Sequence, residues 1–190
     1  MALLKVIKYG HTTLRTPATE YTLDEMDKKF IEDMLETMYE EDGIGLAANQ
    51  VNVAKKMLVC SHQDKEYVLF NPKIIATSES MKEDFEGCLS LPGLQASVPR
   101  FEKIIVKAKD TNWEDIEIKA GGMLAIVLQH EIDHLNGFLY IDRADLKTLT
   151  WTDAESVDED LQNKATDLVE VQSNFQKKYK SSQEQAFAKK

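Results

Sequence analysis

After Thr22 the apolar residues Met26, Phe30, Ile31, Met34, Leu35 and Met38 recur at helical spacing, and T-L-D-E offers Thr22 as N-cap with Glu25 as its capping-box partner. The pattern predicts an amphipathic helix of about five turns. It ends at Gly43 and Gly45, which leaves GIGLAANQ as a loop or turn between elements. Between residues 55 and 110 the period shortens to β-rich runs, KKMLVC, EYVLFNP, KIIATS and KIIVKAKD, expected as antiparallel strands. A further strand is expected over 115–119. Gly121 and Gly122 then break the pattern, and MLAIVLQHEIDHLNG is long enough for a helix of roughly four turns, stopped by Asn136-Gly137.

Beyond residue 145 the chain turns polar. Residues 153–170 hold seven acids against Lys164, and residues 171–190 hold five lysines against Glu184. Leu161, Ala165, Leu168, Val169 and Phe175 give this stretch one thin apolar stripe, which predicts a polar C-terminal helix with a frayed end. The expected division is a domain over 1–150 and a polar extension over 151–190, with no internal repeat.

Composition narrows the class without naming a chemistry. A chain of 190 residues suits one domain, able to bury roughly 70% of its unfolded surface. Its 43% hydrophobic and 29% charged residues match an ordinary soluble globule. The net charge of −10 disfavours DNA or anionic lipid as a non-specific partner. MALLKVIKYGHTTLRT lacks the apolar core of a secretory signal, and no window reaches membrane-spanning length, so the expected location is cytoplasmic. Cys60 and Cys88 are too few for a disulfide framework.

The chemistry enters with HExxH. On a helix His130 and His134 lie one turn apart, with β-carbons about 6 Å apart, so their imidazoles converge on one ion. Glu131 then stands beside a water held by the same metal. A catalytic site of this type takes three protein ligands and keeps one position open. Cys88 is the candidate third ligand, because EGCLSLPG reads as irregular backbone able to present a thiolate; standing alone it would read as a small buried hydrophobe. Cys60, His11 and His62 have no partner at ligand spacing and read as core, surface or turn residues. From the donor set alone, His, His and Cys point to zinc.

Three segments in order, GIGLAANQ (43–50), EGCLS (86–90) and QHEIDH (129–134), resemble the signature motifs of the peptide deformylase family. The resemblance spans about residues 3 to 145. It implies an α+β fold, with antiparallel sheets around a central helix carrying HExxH, and hydrolysis of the formyl group of N-formylmethionyl nascent peptides. It further implies Cys88, His130 and His134 as metal ligands, Glu131 as acid and base, and Gln50 with the Leu89 N–H as oxyanion donors. Ile44, Gly45 and Gly87 match positions whose backbone pairs with an extended substrate. The implied physiological ion is Fe²⁺, with Zn²⁺ or Ni²⁺ expected in protein purified in air.

A formyl group carries hydrogen where acetyl carries methyl, so a tight oxyanion site excludes the larger group. Ile44, Ile126 and Val127 are candidates to line a methionine pocket, the last two reading equally as helix core. Asp133 is expected to pair with Arg100 behind the ligand helix. Two other functions compete. A zinc endopeptidase would draw its third ligand from downstream, where Glu155 and Glu159 lie in the charged tail. A non-catalytic ribosome-associated protein would use the lysine-rich end, and transient ribosome contact through that segment fits an enzyme of nascent chains as well.

Overall fold

The Thr22 capping box forms in the computed structural model, which describes residues 2–152 and 165–179, but it closes a single 3-10 turn, Leu23–Glu25. Glu25 accepts from the Thr22 N–H at 2.9 Å, and Met26 then leaves helical geometry with ψ 116°. Asp27 caps afresh, accepting from the Lys29 N–H at 2.9 Å, and α1 runs Lys28–Glu40. The helix is therefore a turn shorter than its apolar stripe predicts.

GIGLAANQ is more ordered than a loop. Gly45–Ala47 forms a short strand, β1, followed by a 3-10 turn over Ala48–Val51. β1 pairs antiparallel with β2 (Met57–His62), and β2 with β3 (Lys65–Thr77). EYVLFNP and KIIATS are one strand, not two. Asn71 at φ +52° and a register shift between Phe70 and Lys73 carry β3 past Pro72, which has no N–H to give the ladder.

Met81–Cys88 (β4) and Leu91–Phe101 (β5) form a hairpin that the β-rich runs did not predict, and β6 (Lys103–Lys109) pairs with β7 (Asp115–Gly121). With β8 (Thr150–Trp151), the strands make a five-stranded sheet in the order β1-β2-β3-β6-β7 and a three-stranded sheet in the order β4-β5-β8. The architecture is α+β, with antiparallel sheets around a buried helix, α2 (Met123–Leu135).

β2 explains why MLVC is apolar throughout. Its alternate residues serve two cores: Met57 and Val59 pack with Met34 and Met38 of α1, while Leu58 and Cys60 pack with Leu124, Ala125 and Leu128 of α2. A third core lies between the small sheet and the C-terminal helix α3 (Leu168–Tyr179). There Trp151 stacks on Phe175 at 6.1 Å, and Val171 is fully buried. The apolar stripe of α3 thus runs through Leu168, Val171 and Phe175, whereas Val169 is exposed and Leu161 lies outside the described residues. Among the described residues no helix is long and apolar enough to cross a membrane.

Candidate metal centre

Gly122 opens α2 at φ +57°, a conformation that side-chain-bearing residues rarely adopt, and turns the chain from β7 into the core. Twelve of the thirteen residues of α2 are buried, so it is a core helix, apolar on most faces, with a polar row. Gln129 fixes the helix to β5: its Oε1 accepts from the Phe101 N–H at 3.0 Å, and its Nε2 donates to the Phe101 carbonyl at 2.9 Å. His130, Glu131 and His134 are presented from this anchored frame.

Cys88 arrives at the end of β4, where a register shift after Gly87 turns the strand into the β4-β5 connection. The shift leaves the sulfur beside α2, with Cys88 Sγ 3.1 Å from His134 Nε2. One ligating atom from each of Cys88, His130 and His134 lies within 4.8 Å of the others. Three convergent soft and borderline donors with one side facing a cleft fit a four-coordinate catalytic cation.

The imidazole orientations agree with that fit. Glu86 Oε2 lies 2.8 Å from His130 Nδ1, which leaves Nε2 as the ligating atom. His134 is fully buried, and burial together with the positive charges of His130 and Arg100 holds its pKa well below the usual histidine value. Burial also disfavours a charged His130, but hydrogen bonds to Cys88 and Glu86 lift its pKa well above the usual value. A bound cation competes for that proton, so metal binding here releases it.

Glu131 Oε2 is buried with no hydrogen-bond partner among the described residues. Burial pushes its carboxyl up to about 7, with the His130 charge opposing and the Glu86 charge adding. A carboxyl poised there exchanges a proton near neutral pH. Space for it comes from β1, because a Cβ on Gly45 would sit 2.5 Å from Glu131 Oε1 and 2.9 Å from Val127 Cγ1.

Gln50 is held by the 3-10 turn after β1. Its Oε1 accepts from the Ala47 N–H at 2.8 Å, which directs Nε2 toward Cys88 Sγ at 3.6 Å and Ser90 Oγ at 3.4 Å. Leu89 sits in the β4-β5 connection across the same cleft, a cavity of about 710 Å³. Ile44, Gly45, Gly87, Ile126 and Val127 also line it, together with Cys88, His130 and Glu131, while His134 is fully buried behind the lining and reaches the site through its contact with Cys88. Their exposure differs: Ile126 and Val127 are buried, and Ile44 stands at the rim, half exposed.

Other groups were not legible in advance. Glu86 takes Arg100 Nε at 2.7 Å and Arg100 Nη2 at 2.9 Å besides its contact with His130. Arg100 also reaches Asp133, as expected, and Arg143 adds a fork on Asp133 with both contacts at 2.6 Å. Burial works to raise the Glu86 pKa, but Arg100 and His130 together hold it below the usual carboxylate value. For Glu86 the sequence signal was an acid inside the EGCLS motif, and for Arg143 there was none. Glu155 and Glu159, the endopeptidase alternatives, lie outside the described residues.

Comparison with known proteins gives the same picture. Residues 3–149 match the model of the family described as polypeptide deformylase. A peptide deformylase of Natranaerobius thermophilus is 44% identical over 147 residues, covering 76% of this chain and 94% of the relative. Among solved structures, the peptide deformylase of Thermotoga maritima superposes with a TM-score of 0.74 at 38% identity, covering 76% of this chain and 99% of that one. That of Synechococcus elongatus, solved with actinonin, gives 0.71 at 41% identity, covering 75% and 80%. With the family match spanning most of the described residues and near-complete coverage of its relatives, the chain belongs to the polypeptide deformylase family.

Proposed function

We propose that this site removes the formyl group from N-formylmethionine at the start of nascent polypeptides by metal-dependent hydrolysis, with Cys88, His130 and His134 holding the metal. The observation that carries the reading is the convergence of those three ligating atoms beside a buried carboxyl and an oriented amide in one cleft. When bound, the divalent cation supplies Lewis-acid polarisation of the formyl oxygen and a lowered pKa for water. Fe²⁺ is the physiological ion in this reading, replaced by Zn²⁺ or Ni²⁺ in protein purified in air.

Glu131 accepts the proton of the attacking water and later delivers it to the departing amine nitrogen. Negative charge develops on the formyl oxygen as the carbon becomes tetrahedral. Gln50 Nε2 and the Leu89 N–H donate to that oxygen, and one such donor contributes roughly 3 kcal/mol. Gln50 needs no reorganisation, because the Ala47 N–H already fixes its amide. The methionine side chain packs on Ile126 and Val127, with Ile44 closing the rim. The backbone of Ile44, Gly45 and Gly87 pairs with the extended peptide.

Glu131→Ala tests the assignment. The variant is expected to hold the same metal content by elemental analysis and to lose at least ~100-fold in turnover of formyl-Met peptides. Near-normal turnover would overturn the assignment. Wild-type protein is expected to deformylate such peptides while leaving intact proteins uncut, which separates it from an endopeptidase.

A further inference from the structure

The segment before the first 3-10 turn touches both halves of the site through three bonds. The Ile7 N–H donates to the Gln50 carbonyl at 2.8 Å, the Tyr9 N–H to the Ser90 carbonyl at 2.8 Å, and Lys8 Nζ to the Leu89 carbonyl at 3.0 Å. Lys8 lies between two backbone bonds to opposite walls of the centre, so its placement is fixed from both sides. Its side chain is only 15% exposed and lies 3.8 Å from Glu41 at the end of α1. Such burial of an ammonium is costly unless the charge is used or compensated.

The Leu89 carbonyl belongs to the same peptide group as the Ser90 N–H, and that N–H lies 3.4 Å from Cys88 Sγ. A cation bonded to the oxygen of an amide draws electrons toward that oxygen and makes the N–H a stronger donor. Groups that bond to metal ligands in this way tune the ligand and the ion.

We propose that Lys8 is a positioning residue for the metal centre: its ammonium polarises the Leu89–Ser90 peptide group, whose N–H bonds the Cys88 sulfur and restrains the thiolate's electron donation to the cation. The proposal rests on Cys88 being a ligand, as argued above. The same contact holds the turn that carries the Leu89 N–H, so Lys8 also fixes one oxyanion donor.

The test uses full-length protein loaded with Co²⁺, whose bond to a thiolate gives a charge-transfer absorption band. In Lys8→Met the band is expected to move to longer wavelength, because a less restrained thiolate donates more readily. Turnover should fall ~10-fold with KM within about twofold of wild type. Lys8→Arg, which keeps a cationic donor, should restore the band position and most of kcat. If Lys8→Met fails to fold, Lys8→Gln removes the charge while retaining an N–H donor and is read by the same band. A band that stays in place in a folded, neutral variant overturns the role of Lys8 and leaves Cys88 as ligand intact. A wild-type protein that binds Co²⁺ without any such band overturns the Cys88 assignment, and the role of Lys8 with it.

Discussion

Glu86→Gln removes one charge from the network behind the metal centre while keeping the side chain's shape. The two carboxylate oxygens of Glu86 face Arg100 Nε, Arg100 Nη2 and His130 Nδ1. An amide offers one acceptor oxygen and a donor NH₂, so whichever way it is turned, at least one of these groups meets a donor instead of an acceptor. The side chains of Arg100 and Glu86 are 3% and 5% exposed, so water does not replace the lost partner. Breaking a buried pair by neutralising one member costs about 3–5 kcal/mol. For a chain of this size that corresponds to a fall in Tm of roughly 6–20 °C in metal-free protein. His130 also loses the group that orients it, and metal affinity should drop ~10–100-fold. Thermal unfolding by circular dichroism and competition with a chromophoric chelator measure the two effects. A variant with unchanged Tm and unchanged metal affinity would refute the idea that Glu86 holds Arg100 and His130 in place.

Three further outcomes follow from the geometry. Gly45→Ala places a methyl 2.5 Å from Glu131 Oε1, so steady-state assays should show a large loss in kcat with metal content retained if Glu131 acts as proposed; wild-type kcat would mean that β1 yields without moving the Glu131 carboxyl. Gln50→Ala should lower kcat by ~100-fold and raise KM much less, because in the proposed mechanism its amide acts on charge present only in the transition state; a change confined to KM would contradict this. Burial pushes the Cys60 thiol up to about 12, with the Glu131 charge adding. Metal-free native protein treated with iodoacetamide at pH 8 should therefore be modified at Cys88 and spared at Cys60 by peptide mapping, and comparable labelling of both would contradict the buried placement. The same shift sets a sign for stability. The folded-state pKa of Cys60 lies above its unfolded value, so its contribution is complete below the ordinary thiol pKa and is lost as pH rises toward 12.

The ligand helix was legible because its signal is local. His130 and His134 share a face through helical spacing alone, and Asn136-Gly137 marks the stop. Cys88 was reached by chemical need for a third donor, and the β4-β5 turn supplies the reason for its position. The start of α1 misled because a real capping box at Thr22 closes only one turn before Asp27 caps again. β4 and β5 were not read as strands because MKEDFEGC places mostly exposed polar residues along one edge, while β5 contains Pro92 and Pro99; their pairing is a tertiary fact. Glu86 and Arg143 were missed for a related reason. Their roles arise where β4, α2 and the segment after α2 meet, and no spacing within the chain encodes that meeting. Val171 was overlooked because the stripe was drawn through its exposed neighbour Val169, and packing in the core that holds Trp151 decides which of the two faces inward.

The burial of α2 on nearly every face has a consequence for how such an enzyme can change. A helix with twelve buried residues has almost no neutral positions, so variation that survives selection must fall elsewhere. The cleft walls differ in this respect. Ile44, Phe85 and Met123 reach the cavity from exposed positions at its rim. Substitution at that rim is therefore the route by which a peptide preference can change without disturbing the packing of the buried helix.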